Sequence, residues 1–389
     1  MDEITKLTGS VDRLYNSSRN RLINTFWRRD NQRAKDHWRG IPQSTNNISV
    51  IPFTVEPEPP MWASILDFSI KEYYTDPVCY LKNTLKMMVY RFENFNDFTP
   101  IVKMIPIWLG ETFEPSLFGS KTIFIDNESP WIDREPVIND FKDFKSLEFP
   151  DFYSSGLMQI VHRMFNEMNE LVGHEYDIVF QEWRMGPLGL ACALRGMQNL
   201  LQDILLNPNF VKELIQFLTE ARIKWVKEQA KFLNKKIGPC DLDNDEVNTP
   251  IISPEIYDEF ILPFEQKICA FHGGIGYWHS CGDVSKLLPW IRKIPRIDLL
   301  HVGPWTDLQR VKELFGEDTP LEICLMPTSD VLMADEDSMK NRLLDIKNAL
   351  QGATFTIRAD GMQVVHSLRT DVEKIQKWVD IAYDSLTLT

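Results

Sequence analysis

The chain has 389 residues, long enough to bury the core of one large α/β barrel or of two ordinary domains. Its 56 acidic side chains against 42 basic ones give a net charge of −14, which argues against a protein that tracks nucleic-acid phosphates or rests on anionic lipid, and leaves proteins and small molecules as partners. No apolar run approaches the roughly 20 residues that span a bilayer, and the opening Met1-Asp2-Glu3-Ile4-Thr5-Lys6 lacks the apolar centre of a signal peptide, so a cytoplasmic protein is expected.

In chain order, residues 1–46 are polar and helix-prone, with Arg28, Arg29 and Arg33 close to Trp27 and Trp38, and are expected to form an N-terminal helical cap. From residue 47 to 389, β-branched or apolar runs alternate with amphipathic stretches, the pattern of repeated βα units around a parallel sheet. Strands are expected at 48–54, 101–107, 176–181, 237–242, 275–279, 297–302, 321–326 and 354–359, and eight of them suit a closed (β/α)8 TIM barrel. Residues 118–147, with Thr122-Ile123-Phe124-Ile125 followed by Asp126-Asn127-Glu128-Ser129-Pro130, read as a β-hairpin insertion over one mouth of the barrel. Asn207-Pro208-Asn209 opens a helix over 210–233, where Val211, Leu214, Ile215, Leu218, Ile223 and Val226 recur at helical intervals. Ser253-Pro254-Glu255 starts another, with serine as N-cap and proline in the first turn, and 335–350 is a third.

Chemistry concentrates at the expected strand ends, where barrels of this kind collect their active sites. In Gly276-Tyr277-Trp278-His279-Ser280-Cys281-Gly282, His279 and Cys281 stand two residues apart, so along a strand they project to one face. An imidazole and a thiolate on one face are half of a tetrahedral zinc site; the bland alternative is a loop-capping histidine beside a small buried hydrophobe. The six cysteines, at 79, 192, 240, 269, 281 and 324, have no disulfide-framework spacing, which favours reduced thiols. Asp241, Asp243, Asp245 and Glu246 close the fourth strand, either as a solvated loop or as a source of a further ligand or an acid–base group, for which Asp243 and Glu246 are the choices. Trp108, Glu182, Trp183, Tyr277, Trp278 and Trp305 follow or end strands two, three, five and six. Large aromatics there offer stacking surface to a planar ring or π-faces to a methylated cation, unless they simply plug the barrel.

Several of these segments together resemble one family. Glu182-Trp183-Arg184-Met185-Gly186-Pro187-Leu188-Gly189, then Leu194-Arg195-Gly196, Asp203 to Pro208, Ser253-Pro254-Glu255 through Pro263, and His279-Ser280-Cys281-Gly282 are similar to the uroporphyrinogen decarboxylase superfamily, in its order, from about residue 47 onward. The resemblance implies a (β/α)8 barrel and one of two chemistries. The decarboxylases grip substrate carboxylates with an Arg-Gln-Ala-Gly-Arg run that this chain lacks; its nearest basic stretch is Trp27-Arg28-Arg29-Asp30-Asn31-Gln32-Arg33. The cobalamin-dependent methyltransferases carry HxC plus a late cysteine, and here His279 and Cys281 supply the first part while Arg358-Ala359-Asp360-Gly361 puts Asp360 where the late cysteine is expected. Asp360, Cys324 or an acid of the 241–246 cluster would then complete a zinc site. The resemblance implies a zinc-dependent transfer of methyl from a methoxylated, aromatic substrate to a Co(I) corrinoid. No DxHxxG segment is present for holding cobalamin, so a corrinoid protein is the expected partner, and a homodimer stays open. Three alternatives remain: a decarboxylase-like lyase using Arg184, Arg195 and Arg358, a methylcobalamin:thiol methyltransferase, and a non-catalytic scaffold.

Overall fold

A computed structural model describes residues 2–28, 33–34 and 38–388. Eight parallel strands build the barrel: β1 (Phe53–Pro57), β2 (Met104–Pro106), β3 (Asp177–Val179), β4 (Cys240–Asp243), β5 (Ile275–His279), β6 (Leu300–Val302), β7 (Leu321–Cys324) and β8 (Phe355–Met362). Hydrogen-bonded ladders run in the order β1-β8-β7-β6-β5-β4, and β2 pairs separately with β3. Met185, just past β3, bridges in parallel to Asp243 of β4 and carries the ring round that side. Between β1 and β2 no ladder forms among the described residues.

Every expected strand lies where a real one does; β5 keeps the expected bounds, β8 is longer and the other six are shorter, for local reasons. The run 48–54 yields β1 only from Phe53, because Val50 bridges antiparallel to Thr387 and the Ile51 N–H donates to Leu386 O. Ile101 is likewise taken out of β2 by Asn20, whose side chain accepts from its N–H and donates to its C=O. β8 runs past the expected end through an irregularity between Ala359 and Met362, which keeps Asp360 and Gly361 in the strand.

Alternation along each strand sorts side chains into two layers. Trp278, Leu300, Val302, Leu321, Ile323, Phe355 and Ile357 belong to the main apolar core under the helices. The opposite parity, Tyr277 and His279, His301, Glu322 and Cys324, Arg358 and Asp360, turns into the barrel, where Tyr277, His301, Glu322 and Arg358 are almost wholly buried. This interior is therefore a lattice of hydrogen bonds and charges in its upper part.

The helices pack as their sequences dictate. Pro208–Leu233 begins with proline in its first turn and buries Val211, Leu214, Ile215 and Leu218 on one face. Ser253 caps its helix by accepting from the Ile256 N–H, and Asp335 caps Glu336–Ala349 by accepting from the Ser338 N–H. The N-terminal helix Asp2–Tyr15 lies on Pro77–Asn94, held by Glu3 against Lys82 and Lys86 and by Arg13 against Glu93. Beyond it, Trp27 and Trp38 meet edge to face at 4.6 Å and are buried, whereas Arg29 lies outside the described residues. The hairpin forms as expected, Thr122–Ile123 pairing antiparallel with Trp131–Ile132. No helix among the described residues is long and apolar enough to cross a membrane.

Candidate active site and metal centre

The C-terminal strand ends surround a cavity of about 1210 Å³, measured to its open mouth, and His279, Cys281, Asp243, Asp245, Cys324 and Asp360 stand in its wall. Its centre of gravity is chemical: the ligand atoms of His279, Cys281 and His301 all lie within 4.8 Å of one another. Cys281 Sγ is 3.3 Å from Nε2 of His279, and the two imidazole rings are 4.2 Å apart, centroid to centroid. Close approach of the loops after β5 and β6 makes this convergence possible. A Cβ at Gly303 would stand 2.5 Å from the Cys281 carbonyl oxygen, so only glycine lets the two loops touch.

Around the cluster, a second layer fixes the rings. The Tyr277 hydroxyl donates to Glu322 Oε1 at 2.5 Å and lies 2.9 Å from His301 Nδ1. With that hydroxyl donating to the carboxylate, His301 Nδ1–H is the donor that satisfies it, which leaves the lone pair on Nε2. Nε2 of His301 is buried and has no hydrogen-bond partner among the described residues. Burial, and then His279 beside it, lower the His301 pKa to about 4, so the ring is the neutral species that ligates metals. Burial alone would raise Glu322, but Arg358, His301 and Arg39 outweigh it and hold the carboxyl well below its ordinary range. Arg39 sits with its guanidinium 4.4 Å over the Tyr277 ring and 3.7 Å from Glu322.

The donor set fits zinc. Two imidazoles and a thiol meet within 4.8 Å of one another, and the 3.3 Å from Cys281 Sγ to His279 Nε2 is close to the ~3.6 Å expected between ligands about 2.0–2.3 Å from one tetrahedral ion. One of the imidazole nitrogens has no other partner, and an oriented carboxylate–histidine pair stands behind it. Burial, then Asp245, Cys324 and Asp360, push the Cys281 thiol up, which is the environment a cation would relieve. Asp245 accepts from the Cys281 N–H at 3.1 Å and reaches 3.5 Å from His279 Nδ1. Asp360 accepts instead from Arg358 Nε and from the Gly361 N–H, both at 2.9 Å. Cys324 lines the same wall, with its thiol directed to Leu325 O at 3.6 Å. Neither belongs to the three-residue cluster.

The remaining expected residues divide. Trp108 and Trp305 line the cavity, joined by Trp131 of the hairpin; Trp305 and Trp131 are 60% and 63% exposed, so both present ring faces at the mouth. Asp243 is in the wall but ion-paired, 2.8 Å from Arg184. Glu246 is not: its Oε2 lies over Gly189, where a Cβ would be 2.5 Å away, and burial followed by Asp245 raises its pKa to about 7. Tyr277 works underneath the cluster. Trp278 faces the helices, its indole N–H donating to Glu265 at 3.2 Å, because it has the opposite strand parity from Tyr277 and His279. Trp183 is buried against Phe118 and Trp225, and Glu182 lines a separate cavity with Gln229 and Lys235. Sequence reasoning overlooked His301, Glu111 and Trp131, and held Asp245 only as one acid of the 241–246 cluster, preferring Asp243 and Glu246. A second cavity of about 870 Å³, aromatic and lined by Trp62, Tyr73 and Tyr80, shares Trp108 with the first.

Comparison with known proteins agrees with this architecture. Over 184 residues the chain is 24% identical to the methylated-thiol–coenzyme M methyltransferase of Methanosarcina mazei, a match spanning 47% of each chain, so it covers about half the length of that curated relative. The solved structure of a methyltransferase from Methanosarcina mazei superposes with a TM-score of 0.62 at 16% identity, over 87% of this chain and 94% of that one, which shows a shared fold. The family model described as uroporphyrinogen decarboxylase (URO-D) matches residues 66–384. With a match over most of its length, from before β2 to the last helix, the chain belongs to the uroporphyrinogen decarboxylase family.

Proposed function

We propose that the chain is a zinc-dependent methyltransferase that moves a methyl group from a methoxylated aromatic substrate to the Co(I) corrinoid of a partner protein. The observation that carries this reading is the convergence of His279, Cys281 and His301 at the wall of a cavity edged by tryptophans. Those three residues would hold the ion, with Asp245 the nearest carboxylate and Cys324 and Asp360 as reserve donors in the same wall. When bound there, zinc supplies Lewis-acid stabilisation of the negative charge that builds on the departing oxygen. Trp108, Trp131 and Trp305 bind and orient the aromatic ring and keep water from its faces. Tyr277 and Glu322 hold His301 in one tautomer. Arg39 reaches the barrel interior from the N-terminal segment, and the open mouth is where the corrinoid carrier meets the substrate.

The name of the Methanosarcina relative supports methyl transfer as the chemistry. A decarboxylase reading is weaker on the residues themselves: Arg184 pairs with Asp243, Arg195 with Asp203, Arg358 with Asp360, and Arg39, which lines the wall with Arg184, lies 3.7 Å from Glu322, so each of these arginines already faces a carboxylate of the chain. The test is to incubate the purified zinc-containing protein with aryl methyl ethers and a reduced corrinoid, following loss of the Co(I) spectrum. Transfer that vanishes in His279→Ala and Cys281→Ser supports the reading. Methylation of thiols without reaction of ethers would move the chain to the thiol branch, and decarboxylation without corrinoid would overturn the proposal.

A further inference from the structure

Resting on the ether reading above, we propose that Glu111 is the proton donor to the oxygen that departs from the methyl group. The carboxylates expected for this role are unsuited to it. Asp243 is committed to Arg184 at 2.8 Å and Glu246 lies over Gly189, away from the cavity. Asp245 accepts from the Cys281 N–H beside His279, and Asp360 is held by Arg358. Each of these groups is either already engaged by a donor or out of reach.

Glu111 is different. It follows the turn at Gly110, whose φ of +77° permits the chain to bend sharply after β2, and its side chain lies in the cavity wall with Trp108, Pro130 and Trp131. The hairpin folds directly onto this turn, since a Cβ at Gly110 would be 3.6 Å from the Pro130 carbonyl oxygen. No donor among the described residues reaches the Glu111 carboxyl. The charged groups that act on it most are Asp243, Arg184, Glu114 and Asp245, three carboxyls and one cation. Glu114 is fixed as an acceptor of the Arg184 and Met185 N–H groups at 2.6 and 3.0 Å, and Arg184 is itself engaged by Asp243. Burial, then Asp243, raise Glu111 well above the ordinary carboxyl range. An acid in the cavity wall among anions favours its protonated form, in which it presents an O–H to the cavity.

The step balances. The bond between the methyl carbon and oxygen breaks, and its electron pair stays on oxygen. The methyl carbon bonds to the partner's cobalt, whose Co(I) contributes both electrons of the new bond and becomes formally Co(III). Glu111 gives its proton to the oxygen, releasing a neutral phenol and leaving a carboxylate near Arg184. Proton donation of this kind contributes on the order of 10²–10⁴-fold, and most where the leaving group is most basic.

The experiment compares wild type, Glu111→Gln and Glu111→Asp on aryl methyl ethers whose phenols range from alkyl-substituted to nitro-substituted. Glu111→Gln is expected to slow the alkyl-substituted ethers about 10²-fold or more and the nitro-substituted ether less than about 10-fold, steepening the dependence of rate on phenol acidity. Glu111→Asp should recover part of the loss. A readout independent of turnover is the infrared C=O absorption of protonated carboxylic acids at neutral pH, of which Glu111→Gln is expected to lose one component at unchanged zinc content while the contributions of Glu246 and Glu265 remain. Equal loss across all ethers, or an unchanged band, overturns the assignment while the methyl-transfer reading stands. A wild type that attacks no ether overturns both together.

Discussion

Replacing Tyr277 by phenylalanine removes one hydroxyl and nothing else, and the structure states what that hydroxyl does. It is 2.9 Å from His301 Nδ1 and 2.5 Å from Glu322 Oε1, so its loss deprives the imidazole of the contact that sets its tautomer and the carboxylate of one donor. Outer-shell partners of metal-bound histidines are worth about 10–100-fold in metal affinity. Zinc affinity is therefore expected to fall by that factor, about 1.4–2.7 kcal/mol. Folding should lose a comparable amount. Arg358 and Arg39 stay near Glu322, at 3.7 Å each, so its charge remains compensated, and the cost is that of one hydrogen bond to a charged group, about 1.5–3 kcal/mol. Competition titration against a chelator measures the first quantity and thermal unfolding of the zinc-free protein the second. If Tyr277→Phe binds zinc as tightly as wild type while keeping its fold, His301 is not oriented through Tyr277 and the description of the centre is wrong.

Three further outcomes follow from the same contacts. His301→Ala should lower zinc content as severely as His279→Ala, checked by metal analysis of protein purified in zinc-containing buffer; retention of stoichiometric zinc would remove His301 from the ligand set. Glu265, fully buried and reached by Tyr257, Asn244 and Trp278, has its pKa raised by burial to about 7 from 4.5. The folded state then binds the proton more tightly than the unfolded one, so this group lowers stability as pH rises from about 4.5 to about 7, by up to roughly 3 kcal/mol. The difference between wild-type and Glu265→Gln denaturation midpoints should grow across that window in favour of the variant, and a constant difference would count against it. Trp131→Ala should raise KM for an aromatic donor about 5–30-fold, the value of an aromatic contact of about 1–2 kcal/mol, with little change in thermal stability because the ring is 63% exposed.

The barrel was legible because its strands announce themselves as β-branched runs between helical stretches, and the fold stands with all eight in place. His279 and Cys281 were legible for a stricter reason: a separation of two along a strand forces one face. The same rule, applied one residue at a time, separates Tyr277 from Trp278, which look alike in composition but turn to opposite layers. His301 was overlooked because a single histidine in Leu299-Leu300-His301-Val302 matches no motif; its signal was parity, since Leu300 and Val302 face the helices and send His301 inward. Loop residues carried no such signal. Glu111, Asp245 and Trp131 reach the cavity through a glycine turn, a strand-end loop and a hairpin, whose directions depend on contacts between segments distant in sequence.

The seam between β1 and β2 gives the molecule a built-in point of compliance. Elsewhere the wall is stitched by peptide hydrogen bonds between strands, but here, among the described residues, β1 is tied only to the segment before β2, the Val55 N–H donating to Asp97 and the Phe98 N–H to Phe53 O, while Tyr80 of the intervening helix donates its hydroxyl to Pro106 O and accepts from the Trp108 N–H. Widening the wall at this place breaks side-chain contacts and spares the ladders, so it is the least costly route by which the cylinder can dilate. Trp108 stands at that seam and faces both cavities, which makes its indole the hinge pin through which a bulky guest would enlarge one chamber at the expense of the other.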